Sequence, residues 1–145
     1  MSGDLSQAKD LLESGAYTCV LCKGDRIYTT AKRGVLPLVE WVESGRVPEG
    51  FSAADKIVGR AAAFLYILLG IKEVYAPVMS EGALELFSQN GITAVCDTKT
   101  EAIINRKGTG ICPMEQAVKD VCSPRDAFLA IKQTPELSGA VDHRD

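Results

Sequence analysis

The sequence predicts an α/β fold with a mixed sheet, and three observations carry that prediction. Residues 17–22 and 27–30 are β-rich runs joined by Lys23, Gly24, Asp25 and Arg26, the pattern of an antiparallel hairpin. Residues 74–78, a segment from Ser80 to Gln89, and residues 92–96 follow one another as strand, helix and strand, which requires parallel strands with a helix covering them. Between these two blocks lies DKIVGRAAAFLYILLG, residues 55–70, whose part 61–69 is almost wholly apolar. A helix there has no broad solvated face, so it belongs at the centre of the molecule.

Taken in order, Leu5, Ala8, Leu11 and Leu12 stand at helical spacing within 5–14, and Gly15 stops that helix. After the hairpin, residues 34–44 carry Leu36, Leu38, Val39, Trp41 and Val42 in a second helix ended by Gly45, and Pro48 and Gly50 mark a loop. Ser52 with Asp55 three residues on matches a capping box, which starts the central helix at the apolar run. Gly70 ends it. Ser80 caps the next helix, and Asn90 with Gly91 closes it. Residues 97–104 fit either a turn with one helical turn or a third short strand. A loop of Asn105, Arg106, Lys107, Gly108, Thr109 and Gly110 leads into a helix at Cys112, Pro113, Met114 and Glu115, with proline in its favoured first position. Ser123, Pro124, Arg125 and Asp126 repeat the start signal for a last helix running to about Gln133. Residues 1–133 are thus expected to form one domain, and 134–145 a polar, frayed tail. No repeat or low-complexity tract interrupts the chain.

The totals narrow the function. A chain of 145 residues suits a single domain. Its net charge of -3, with acids and bases interspersed, provides no basic field for a nucleic-acid backbone, whereas a small anion remains compatible. No leader pattern opens the sequence and the apolar run is too short to span a bilayer, so no membrane association and a cytoplasmic location are expected. Five cysteines, an odd number, fit free thiols in a reducing compartment. The one histidine, His143, lies in the tail, which leaves the domain without an imidazole base or metal ligand.

Two motifs concern cysteine. Cys19 and Cys22 form a CxxC, but inside a strand an offset of three sends the side chains to opposite faces, so they are expected in the core and not on a shared metal. The stretch NRKGTGICPME admits two readings. Backbone amides at the helix start, with Arg106 and Lys107 beside them, suit a phosphate or carboxylate, or the glycines make a plain turn and Glu115 bonds back to the chain at Cys112. The order of residues is not that of a phosphate-binding Walker loop, which places lysine after the glycines. Cys112 at that helix start occupies a position that favours a reactive thiolate. With no histidine available, its base would be Asp55 or Glu115; the alternative is an ordinary capping or ligand-lining residue. Asp55 either caps or acts chemically. Lys56 and Arg60, four apart on a helix, would repel unless an acid or bound anion lay between them. Glu81 suits the start of the following helix and is also a functional candidate.

On the stretches DKIVGRAAA, 55–63, and NRKGTGICPMEQAV, 105–118, the chain resembles the DUF1893 family, an uncharacterised branch of the cytidine deaminase fold, over residues 5 to about 133. The resemblance implies a cytidine deaminase-like three-layer α/β/α sandwich. In zinc deaminases a His-x-Glu at the start of one core helix and a Pro-Cys-x-x-Cys at the start of the next bind the metal and move protons. By position these fall on Asp55, Lys56 and Ile57, and near Met79, Ser80, Glu81, Gly82 and Ala83, where no zinc ligand stands. CPME at 112–115 comes one strand too late and lacks the second cysteine. No metal and no cofactor are therefore expected. The implied geometry brings Asp55 and Lys56 near Ser80 and Glu81, with the 105–115 loop closing over the cleft.

The expected function is a metal-free domain that binds a small anionic, nucleotide-like ligand through Lys56, Arg60, Ser80, Glu81, Asn105, Arg106, Lys107, Gly108, Thr109, Gly110 and Glu115. The alternatives are an enzyme using Cys112, with Asp55 or Glu115 as base, and a non-catalytic oligomeric or regulatory module. By the same analogy a homo-oligomer is expected, with a dimer favoured.

Overall fold

The computed structural model describes residues 2–103 and 110–134 of the chain. Its first helix, α1 (Gly3–Ser14), starts where the Ser2 hydroxyl accepts the Leu5 amide, and it buries Leu5, Ala8 and Leu12. Strands β1 (Cys19–Lys23) and β2 (Arg26–Thr30) form the expected hairpin, with Gly24 supplying the positive φ of the turn. Helix α2 (Leu36–Ser44) stops at Gly45 in the left-handed region.

The strand that follows is interrupted. β3 (Ser52–Asp55) runs antiparallel to β1 and parallel to the first part of β5 (Glu73–Ser80), while β4 (Ile57–Val58) pairs with the later residues Val78 and Met79 of the same strand. Since β6 (Thr93–Thr100) occupies the opposite edge of β5 along its length, β3 and β4 are two halves of one position in the sheet. Lys56 is the break. Between these strands run α3 (Arg60–Leu69), ended by Gly70, and α4 (Glu81–Gln89). Two further helices, α5 (Pro113–Ala117) and α6 (Pro124–Lys132), complete the described chain.

Helices cover both faces of this mixed sheet. On one, α1 packs Leu5, Ala8 and Leu12 on Val20, Cys22, Ala54 and Tyr75. The other carries the larger core, built around α3, with Ala61, Phe64, Leu65 and Tyr66 set against Leu38, Met79, Phe87, Met114 and Ile131. Burying a side chain such as Phe64 or Leu65 contributes about 1.5–3 kcal/mol each. The all-round burial of α3 follows from the apolar run, as expected.

One expectation needs correction. The central helix begins at Arg60, not at Asp55, and Ser52 does not cap it. Residues 52–55 are a strand because Ala53 and Ala54 are fully buried on its two faces and its backbone is satisfied by both β1 and β5. The Ser52 hydroxyl instead donates to Glu73 Oε2 at 2.5 Å. The ambiguous stretch is strand as far as Thr100, since β6 simply continues along β5. Finally, Thr134 is buried and donates to the Ile131 carbonyl at 2.8 Å, so it belongs to the core's edge, and the rest of the expected tail lies outside the described residues.

The CxxC reading agrees with the packing: Cys19 enters the α3 core and Cys22 the α1 core.

Candidate functional site

The start of α3 is where the sequence placed chemistry. Gly59 precedes it and offers no side chain to cap it. The missing acceptor comes from α5: the Arg60 N–H donates to Glu115 Oε1 at 2.8 Å and the Ala61 N–H to Oε2 at 2.9 Å. A carboxylate so placed satisfies two amides that the helix itself cannot, and it meets the positive end of the helix dipole. Gly59 has to be glycine here, because a Cβ would stand 2.4 Å from Glu115 Oε1. Glu115 therefore does not bond back to Cys112. It caps a helix 55 residues away.

Arg60 leaves the same point and turns toward α4. Its Nη2 donates to the Val121 carbonyl at 2.6 Å, its guanidinium lies over the Phe64 ring, and its methylenes cross the first turn of α4 at Gly82, where a Cβ would sit 2.8 Å from Arg60 Cγ. Its Nε is buried and has no hydrogen-bond partner among the described residues. A buried donor left in this way costs about 1–3 kcal/mol, so an acceptor at that atom would be favoured. Arg60 also lines a cleft of about 160 Å³, together with Ser80, Gly82, Glu101, Ala102, Ile111, Glu115, Gln116 and Lys119. Ser80 is engaged as the α4 cap, its hydroxyl accepting the Ala83 amide at 3.1 Å.

Asp55 lies at the strand interruption and not in the lining of this cleft. Its Oδ2 accepts the Tyr66 hydroxyl at 2.6 Å, and the Tyr66 oxygen stands 3.0 Å from Cys19 Sγ. Burial pushes the Asp55 carboxyl up to about 6, against the lowering pull of the Tyr66 bond and of the Lys56 and Ile57 amides. The same burial, with the Asp55 charge nearby, raises both the Cys19 thiol and the Tyr66 phenol well above their ordinary ranges. Neither is a ready nucleophile.

Of the residues singled out by sequence, Arg60, Ser80 and Glu115 come together in the cleft. Lys56 is exposed at the strand break, and, with no helix there, it is not Arg60's neighbour on a helix face. Glu81 is exposed in the first turn of α4, outside the lining. Gly110 is exposed beside Ile111. Asn105, Arg106, Lys107, Gly108 and Thr109 lie outside the described residues. Cys112 precedes α5, its backbone amide donates to the Ile103 carbonyl at 2.9 Å, and its side chain packs against the main core. α5 has only five residues, too few for the dipole invoked at Cys112.

Sequence reasoning missed Glu101, Gln116 and Lys119, whose type and spacing give no signal. Tyr66 did give one. A hydroxyl inside a fully buried run must find a partner, and Asp55 is that partner.

Among the described residues no group of three or more His, Cys, Asp or Glu side chains could hold a metal ion, and no helix is long and apolar enough to cross a membrane. The profile of the TM1506 family, a domain of unknown function (DUF1893), matches residues 7–134. The crystal structure of a DUF1893 family protein (TM1506) from Thermotoga maritima superposes with a TM-score of 0.82 at 25% sequence identity, covering 90% of each chain. No curated protein matches the chain.

Proposed function

We propose that this chain, which belongs to the DUF1893 family, is a metal-free, cytidine deaminase-like domain that binds a small anionic, nucleotide-like ligand in the cleft between α3, α4 and α5. The observation that carries the reading is the Arg60 guanidinium, whose Nε faces no acceptor among the described residues while its stem forms the cleft wall. Anionic oxygens are the acceptors that a guanidinium binds best. Lys119 brings a second cation to the lining, against Glu101 and against Glu115, whose carboxylate is already committed to the α3 amides. The fold part of the reading is supported by the sheet: an antiparallel hairpin at one edge, then the β3/β4 position, β5 and β6 in parallel, with α3 and α4 leaving the strand ends beside one another.

Glu115 sets a limit on the chemistry. Its carboxylate is committed to two amides of α3, so a Cys112 enzyme using it as base would first have to uncap that helix. Binding without catalysis makes no such demand. Assembly into a homo-oligomer, with a dimer the expected form, is part of the same reading by analogy with the deaminase-like fold. A light-scattering mass of one chain would contradict that part of the proposal. The five cysteines, all free, fit work in the cytoplasm.

Isothermal titration of the full chain with phosphate, nucleoside phosphates and sugar phosphates tests the ligand. At least one of them is expected to bind at millimolar concentration or better, and Arg60→Met to abolish the heat. Absence of binding across the panel, or binding untouched by Arg60→Met, would overturn the reading.

A further inference from the structure

Behind the cleft, the strand interruption holds a polar cluster that ligand binding does not use. Cys19 and Asp55 are register partners on β1 and β3, and Tyr66 of α3 touches both, its hydroxyl 2.6 Å from Asp55 Oδ2 and 3.0 Å from Cys19 Sγ. The Lys56 N–H, just past the end of β3, donates to the Thr18 carbonyl at 3.3 Å, so Tyr66 is the side-chain donor that meets the Asp55 carboxylate. Among the described residues no cation answers this charge. The Lys56 side chain is exposed, Arg60 sends its guanidinium to the Val121 carbonyl, and what β5 buries in this core is apolar: Val74, Ala76 and Met79. From β1 the group faced is the Cys19 thiol, and from α3 the Tyr66 phenol.

We propose that Cys19, Tyr66 and Asp55 form a proton-operated latch at the β3–β4 interruption, in which hydrogen bonds run toward Asp55 when it is ionised and away from it when it is protonated. With the carboxylate charged, Cys19 S–H donates to the Tyr66 oxygen and Tyr66 O–H donates to Asp55. One proton taken from solvent makes the carboxyl itself a donor. Tyr66 then accepts from Asp55 and turns its own O–H to the Cys19 sulfur. No covalent change occurs other than the new carboxyl O–H.

The sign of the stability effect follows from burial. The folded carboxyl, raised to about 6 from an ordinary 3.8, holds its proton more tightly than the unfolded chain does. Its contribution is therefore fully present below the unfolded value and is lost as pH rises through about 6. Relative to Asp55→Asn, the wild-type folding equilibrium is expected to strengthen by about 50-fold between neutral pH and pH ~4, other carboxylates cancelling in the comparison.

Carbon-13 NMR of the full chain tests the latch. Asp55 Cγ, Tyr66 Cζ and Cys19 Cβ should titrate with one shared midpoint near 6. Tyr66→Phe removes a bond that lowers the Asp55 carboxyl, so the midpoint should rise and Cys19 should stop responding. If that variant does not fold, Cys19→Ala leaves the phenol–carboxylate bond in place, and Tyr66 should still titrate with Asp55. An Asp55 midpoint close to 3.8, or Tyr66 and Cys19 signals that ignore the Asp55 midpoint, would overturn the proposal.

Discussion

α3 and α4 are neighbours of similar length that follow successive strands, yet they are started in opposite ways. α4 is capped by its own Ser80, three residues from the amide it serves. α3 is capped by Glu115 of α5, which follows α4 and β6 in the chain. One start is local chemistry and survives on its own; the other exists only when α5 is docked. The contrast also explains the two glycines. Gly59 makes room for a carboxylate that is held at both oxygens, whereas Gly82 makes room for the flexible stem of Arg60.

The largest effect should come from breaking the distant cap. Glu115→Ala strands two amides in a buried setting and undocks α5, and is expected to cost about 3 kcal/mol in urea unfolding. A loss no larger than that of a surface substitution would mean that water replaces the carboxylate without penalty. Gly59→Ala comes next, at about 2 kcal/mol, because the methyl can be accommodated only by moving Glu115 off its two amides. The pair should be strongly non-additive in a double-mutant cycle, since either change removes the same contact. Ser80→Ala is expected to cost about 1 kcal/mol, the ordinary value of a local cap, and to leave the Arg60 and Ala61 amide shifts in place. Gly82→Ala should be smallest, within about 0.5 kcal/mol, as the helix gains propensity while the Arg60 methylenes shift aside. Its signature is instead a weakened ligand titration in the cleft.

Much of the fold was legible because its signals are short in range. Two β-rich runs joined by Lys23, Gly24, Asp25 and Arg26 gave the hairpin, the unbroken apolar run gave a buried helix, and Gly45, Gly70 and Ser80 marked real element ends. The failure at Ser52 to Asp55 has the same root. A capping pattern is a statement about four residues, and it was outweighed by two neighbouring strands that only the assembled sheet supplies. In the site, Arg60, Ser80 and Glu115 could be named from sequence, but Glu115 was given the wrong partner, because the nearer helix start at Cys112 looked sufficient. Lys119, Gln116 and Glu101 carried no pattern at all.

By itself, then, the sequence determined the hairpin, the strand–helix–strand unit and which helix is central, because side-chain patterning and glycine conformation act within a few residues. The tertiary structure alone decided that Asp55 ends a strand, that Tyr66 and Cys19 close around it, and that the start of α3 is satisfied from α5. Those contacts join residues 11, 47 and 55 positions apart, where the sequence records the groups but not their meeting.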